Sequence, residues 1–176
     1  MSVSEQEKPF DLDLISISEL TDISDSLFLD EQDSQISGEK FIVFILDEEF
    51  YAIPAKQVAE VVRPLSFTSL PNLPEWFLGI ANLRGDIISI VDLKSLWNKE
   101  SVDSPKSKLI VLRSFDNESP VAFKIDKLRE IVTLPKEEIE VARNKRNSHI
   151  FGKAEHKSNV LNLLDVEEIL SSLKLI

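Results

Sequence analysis

Gly79 to Trp97 read GIANLRGDIISIVDLKSLW, and Gly152 to Leu170 read GKAEHKSNVLNLLDVEEIL. The two stretches align without a gap: Gly79 falls on Gly152, and Ile90-Val91-Asp92-Leu93 on Leu163-Leu164-Asp165-Val166. Upstream, Ile42-Val43 and Ala59-Glu60-Val61-Val62 answer to Ile110-Val111 and Arg129-Glu130-Ile131-Val132; the second spacing is longer by two residues, which a hairpin loop absorbs. One half of the chain is a diverged copy of the other, and such a repeat fixes the architecture before any residue chemistry is considered. Function is to be sought where the copies differ. The first carries Asn82-Leu83-Arg84-Gly85, the second Glu155-His156-Lys157-Ser158.

The 176 residues, 43% of them hydrophobic, suit one compact unit or two small subdomains sharing a core. There is no cysteine, so a disulfide framework, a thiolate nucleophile and a zinc-thiolate site are excluded. The N-terminus is acidic and lacks a basic-then-apolar signal pattern. No apolar run approaches the ~20 residues of a membrane span. The expectation is a cytoplasmic protein without membrane insertion. The formal charge of −11 is unevenly placed: residues 1–40 hold eleven acidic and two basic side chains, residues 41–176 twenty and eighteen. A nearly neutral folded part gives no support for nucleic-acid binding, which wants a clustered basic face.

Residues 1–38 read as an acidic leader, rich in Ser, Asp, Glu and Gln. Its composition predicts a flexible tail. The spacing Ile17, Leu20, Ile23, Leu27 also permits one amphipathic docking helix. Phe41–Leu46 and Phe50–Ile53 read as strands joined by an Asp47-Glu48-Glu49 turn, the second ended by Pro54. Ala55–Val62 reads as one or two helical turns stopped by Pro64. Phe67–Leu73 is a turn-rich linker. Ile80–Leu83 and Ile87–Val91 form a hairpin with its tip at Arg84-Gly85-Asp86, and Asp92 caps a short helix, Leu93–Trp97. The second copy repeats the plan: strands 109–114 and 120–125 about a turn at Asp116-Asn117-Glu118, a turn-helix 126–131, a strand 131–134, a basic loop Arg143–Ser148, strands 150–154 and 159–164, and a helix 165–174. Short strands broken by tight turns predict an all-β protein of two small closed barrels. The first is expected over about 40–98 and the second over about 108–176, with exchange of strands between them an open alternative.

Catalytic signals are sparse. The two histidines, His149 and His156, stand at no metal-ligand spacing and read as surface or loop residues. Nothing resembles a phosphate loop or a nucleophile elbow. No enzyme, cofactor or metal is expected. The sharper signal is Asn82-Leu83-Arg84-Gly85. An arginine at a tight turn is held by backbone geometry, and its guanidinium can take a carboxylate bidentately. Glu60 is the candidate partner. The pair reads equally as a latch that ties the turn down and as a binding surface.

These residues carry a resemblance. Phe41–Leu46, Tyr51-Ala52-Ile53, Val58-Ala59-Glu60-Val61, Leu70-Pro71-Asn72-Leu73-Pro74, Leu78–Gly85 and Ile90-Val91-Asp92-Leu93 closely resemble the CheW family of chemotaxis coupling proteins. Ala122–Val132 and Gly152…Leu164-Asp165-Val166 continue the likeness, which covers about residues 40–174. The resemblance implies two five-stranded barrels of the src-homology-three kind packed on a shared seam. It implies an adaptor that bridges a methyl-accepting chemoreceptor's cytoplasmic tip to a CheA-type histidine kinase in a receptor array. Carried over residue by residue, it places Val58, Glu60, Gly79, Asn82, Leu83 and Arg84, with Gly85 at the turn, where the family binds receptor or stabilises that surface. Two departures stand out: Ala122 replaces the family's usual glycine, and the acidic leader is longer than usual. The expectation is the coupling protein rather than the CheV fusion to a receiver domain. The alternative is a specialised kinase-binding adaptor or competitor, of a pilus-motility or phototaxis system, without receptor binding.

Overall fold

The computed structural model describes residues 37–113, 119–142 and 149–173. The leader up to residue 36, the expected turn at 116–118, the whole of the expected basic loop and the last three residues lie outside the described residues.

The strands are β1 (Glu39–Leu46), β2 (Glu49–Pro54), β3 (Val58–Val62), β4 (Phe77–Leu83), β5 (Asp86–Asp92), β6 (Lys108–Leu112), β7 (Val121–Ile125), β8 (Lys127–Leu134), β9 (Glu140–Val141), β10 (Ile150–His156) and β11 (Asn159–Leu164). Two helices are described: α1 (Leu93–Leu96) and α2 (Val166–Leu173). The helical expectation for Ala55–Val62 is corrected: only Ala55–Gln57 make a 3-10 turn, and β3 takes the rest. The turn-helix expected over 126–131 is likewise replaced by β8. In both places the β-branched residues Val58, Val61, Val62 and Ile131, Val132, Thr133 have a neighbouring strand to pair with. β3 runs antiparallel to β6, and β8 to β1. A ladder of that kind outweighs weak local preference.

The strands form a six-stranded sheet in the order β8-β1-β2-β11-β10-β9 and a five-stranded sheet in the order β3-β6-β7-β5-β4. The sheets therefore do not divide where the sequence divides. The β1–β2 hairpin of the first copy inserts among strands of the second, and β6–β7 of the second inserts between β3 and β5 of the first. The joints are the parallel pairs β2–β11 and β5–β7 and the antiparallel pairs β1–β8 and β3–β6. The sixth strand is the two-residue β9, whose counterpart in the first copy is a single bridge, Thr68–Ile80. Each sheet curls into a barrel. β3 and the end of β4 lie at opposite ends of the five-stranded order, yet Glu60 and Arg84 meet at 3.0 Å.

Period-2 alternation sends successive residues to opposite faces. In β1, Phe41 and Val43 join Ala52, Val132, Leu134, Ala154, Leu161 and Leu163 inside one barrel. The intervening Ile42, Phe44 and Leu46 are buried on the other face. Ala81, Ile88, Ile90, Leu109, Val111 and Ala122 fill the second barrel. Ile110, Leu112, Phe123 and Ile125, on the opposite faces of β6 and β7, are buried as well. The exchanged hairpins are thus covered on both sides, and they form the centre of the molecule. Ala122 is fully buried within the second barrel, where its methyl is part of the packing.

The repeat is visible in backbone detail. Bulges fall at Phe77/Gly79 and at Ile150/Gly152. The N–H of Asp92 donates to Trp76 O, and that of Asp165 to His149 O, both at 2.8 Å. Asp92 Oδ1 accepts from the N–H groups of Lys94 and Ser95, and Asp165 Oδ1 from that of Glu168. Those bonds satisfy donors that a helix start leaves open.

One contact between the copies is proton-sensitive. Trp97 Nε1 donates to His149 Nδ1 at 2.8 Å, and the rings lie near each other at 29°. Indole is a donor only, so Nδ1 must be unprotonated. Burial holds the His149 pKa below its ordinary value, against the opposing pull of Glu168 and Asp165. Below about pH 6.5 the unfolded chain takes up a proton that the folded site refuses. Stability from this site is complete above that pH and declines as pH falls toward the lowered folded value. His149→Gln, which keeps an acceptor but no titration, is expected to lose less stability than the native chain between pH 7.5 and 5.5 in urea unfolding. Equal losses would contradict this account.

Candidate functional site: two hairpin tips

The tip of the β4–β5 hairpin is a two-residue turn. Arg84 has φ 56° and Gly85 φ 100°. Successive positive φ values match the right-handed twist of the flanking strands. Gly85 takes this geometry without steric cost, and its N–H donates to Asn82 Oδ1 at 3.1 Å. Asn82 thus braces the turn that carries Arg84. The Arg84 Nη2 meets Glu60 Oε2 at 3.0 Å; the arginine side chain is 69% exposed and the glutamate 25%. A guanidinium has five N–H donors, so this exposed group keeps donor capacity for a partner's carboxylate or carbonyl while Glu60 sets its position.

The expected site residues separate into two sets. Glu60, Asn82, Arg84 and Gly85 come together at the tip. Leu83 is half-buried and packs toward the barrel interior. Val58 and Gly79 are buried. A Cβ on Gly79, whose φ is 151°, would lie 2.3 Å from the Thr68 carbonyl oxygen. These three residues support the surface from below. Ile87, 59% exposed and cross-strand from Asn82, adds an apolar side chain to the same tip. Sequence reading missed it because an isoleucine in a strand reads as core.

The second copy rebuilds the arrangement with different side chains. Lys157 and Ser158 both have positive φ at the β10–β11 tip. Lys157 Nζ meets Glu130 Oε2 at 2.7 Å, and His156 Nε2 lies 3.7 Å from the same oxygen. Glu130 stands where the repeat places Glu60, and Lys157 where it places Arg84. Hydrogen bonding and charge from Lys157 hold the Glu130 carboxyl below the usual glutamate range. The alignment already contained this pairing, since it set Glu130 opposite Glu60. His149 lies between the copies against Trp97, and His156 is beside the Glu130–Lys157 pair. Among the described residues no group of His, Asp and Glu could hold a metal ion, and no helix is long and apolar enough to cross a membrane.

The chain is similar to several known proteins. The chemotaxis protein CheW of Helicobacter pylori is 30% identical over 74% of this chain and 81% of its own length. Protein PilI of Pseudomonas aeruginosa is 32% identical over 48% of this chain and 47% of its own. The crystal structure of the scaffolding protein TtCheW from Thermoanaerobacter tengcongensis superposes with a TM-score of 0.66 at 27% identity, covering 72% of this chain and 88% of that one. The family model for the CheW-like domain matches residues 40–174, and the chain belongs to that family.

Proposed function

We propose that this protein is a non-catalytic cytoplasmic adaptor that couples the tip of a methyl-accepting chemoreceptor to a CheA-type histidine kinase. The observation that carries the reading is the braced tip. A mostly exposed arginine is fixed by Glu60 and raised on an Asn82-capped turn, beside an exposed Ile87. Such a surface recognises a protein partner through a charged, directional contact beside an apolar one. It needs no bound group, and the fold offers a second tip with different side chains for a second partner. Two surfaces on one folded unit let the position of one partner bias the other.

The test is reconstitution with a CheA-type kinase and a receptor cytoplasmic fragment from the same cell, measured separately and together. A ternary complex that forms only with this chain, and in which receptor controls autophosphorylation, is the expected result. Binding to the kinase alone would replace the proposal with the competitor reading and move attention to the acidic leader. A smaller effect is expected at the other tip. Lys157→Glu should leave receptor affinity within about twofold, because a partner-facing change at one tip is distant from contacts at the other. Loss of receptor affinity in Lys157→Glu equal to that at Arg84 would mean that both tips touch the receptor.

A further inference from the structure

The segment that follows β5 reaches across the molecule. Leu93–Leu96 is only α1, one short turn of helix after a strand of the five-stranded sheet. Yet its polar and aromatic side chains engage groups of the six-stranded sheet and its turns. Lys94 Nζ lies 3.3 Å from Asp47 Oδ1, in the β1–β2 turn, and 3.0 Å from Asp126 Oδ1. Trp97 stacks on Tyr51 of β2 and donates to His149. Lys99 Nζ pairs with Glu49 at 2.9 Å.

Asp126 has a particular place. It is the single residue between β7 of one sheet and β8 of the other, the point where the chain passes between barrels. Its N–H donates to Ile45 O, and its Oδ2 accepts from the N–H of Asp47. Lys94 is therefore a cation whose side chain is 5% exposed, held between a turn of one barrel and the crossover linking the two. Burial works to lower its pKa, but the hydrogen bonds and charges of Asp126 and Asp47 outweigh it and raise the value, so the group stays charged. A buried ion pair contributes little to stability relative to an apolar replacement, and its best-attested use is to fix one register or packing among alternatives. β5 returns from the Arg84 tip and β8 carries Glu130 of the other tip, so the pin joins the strands on which both surfaces stand.

We propose that Lys94 is a positioning residue, an ionic pin through which the strap Leu93–Lys99 fixes the orientation of one barrel, and its tip, on the other. The geometry stands without any partner; only its consequence for signalling rests on the adaptor function. The chain has no cysteine, so spin labels can be placed through Ile87→Cys on β5 and Val160→Cys on β11, both exposed. Pulsed dipolar spectroscopy on the full chain then reads the distance between the two barrels. The native background is expected to give one narrow distribution. Lys94→Met and Asp126→Asn should each broaden it at least about twofold while cooperative melting persists, and Lys94→Arg should restore the narrow distribution. Unchanged width in both Lys94→Met and Asp126→Asn overturns the proposal. Should Lys94→Met fail to melt cooperatively, Asp126→Asn alone decides it, since that variant keeps the cation and Asp47. No partner is present in this measurement, so its failure is distinguishable from failure of the adaptor reading.

Discussion

Gly79→Ala is expected to destabilise the fold by about 2–6 kcal/mol, a large part of the stability of a domain this size. Two costs combine. The backbone at Gly79 has φ 151°, a region that side chains other than hydrogen rarely occupy, and holding a larger residue there costs about 1–3 kcal/mol. The new methyl would also stand 2.3 Å from Thr68 O and 2.8 Å from its carbon. Those atoms are main chain and are fixed from both sides, because Thr68 and Ile80 exchange hydrogen bonds of 2.8 and 3.0 Å. Forcing extra atoms into such a place costs about 1–3 kcal/mol more. The pseudo-equivalent Gly152 is the control. A Cβ there would lie 2.9 Å from Glu140 O, on the short strand β9, and its φ carries no such penalty. Gly152→Ala should therefore cost about 1–2 kcal/mol. Urea unfolding followed by tryptophan fluorescence measures both; equal losses would contradict the argument. Any loss of partner binding in Gly79→Ala would then follow from the fold, since this residue presents no side chain.

Arg84→Glu is expected to have the opposite profile: a nearly unchanged fold and a receptor affinity weaker by about 30-fold or more. An exposed ion pair contributes about 0–1 kcal/mol to folding, and Arg84 is mostly exposed. The turn that carries it is held by Gly85 and Asn82, which the substitution leaves in place. At the partner, by contrast, reversal removes a directional donor and sets a second carboxylate beside Glu60. Disruption of a buried interfacial charge pair costs about 2–5 kcal/mol, and about 2 kcal/mol is already about 30-fold. Calorimetric titration with a receptor fragment, together with a thermal melt, separates the two quantities. Native affinity in a folded Arg84→Glu protein would remove the residue from the binding surface. Recovery of affinity in Arg84→Lys is expected to be partial, because an ammonium lacks the planar fork.

The repeat made most of this architecture readable. Its alignment sets Gly79 on Gly152 and Asp92 on Asp165, and these positions share bulges, crossing bonds and helix caps in the fold. The β4–β5 tip was equally legible, since Asn82-Leu83-Arg84-Gly85 has the spacing of a tight hairpin turn. What the sequence hid depends on distant partners. Ala55–Val62 has helical-looking spacing, and only its pairing with β6 makes Val58–Val62 a strand. The same is true of Lys127–Leu134 on β1. Nothing in the sequence marks Lys94; its carboxylate partners are 47 and 32 residues away in the chain. Val58 and Leu83, conversely, looked like contact residues and turn inward, because alternation along β3 and β4 is set by the barrel interior.

The exchange of hairpins has a consequence for how the chain is made. Ala52 pairs with Leu163, so the first strands out of the ribosome wait for some of the last. β6 and β7 must likewise arrive before β3 and β5 can share a sheet. Pairings this remote in sequence make folding slow and leave half-built sheet edges exposed meanwhile. Neither sequence half can close by itself, and a nascent chain arrested after residue 107 would lack strands for both barrels. The five-stranded sheet has all its strands once β7 is made, whereas the six-stranded sheet waits for β10 and β11. The strands behind the Arg84 tip are thus all made before Lys157 is, so the two tips are completed in order along the chain.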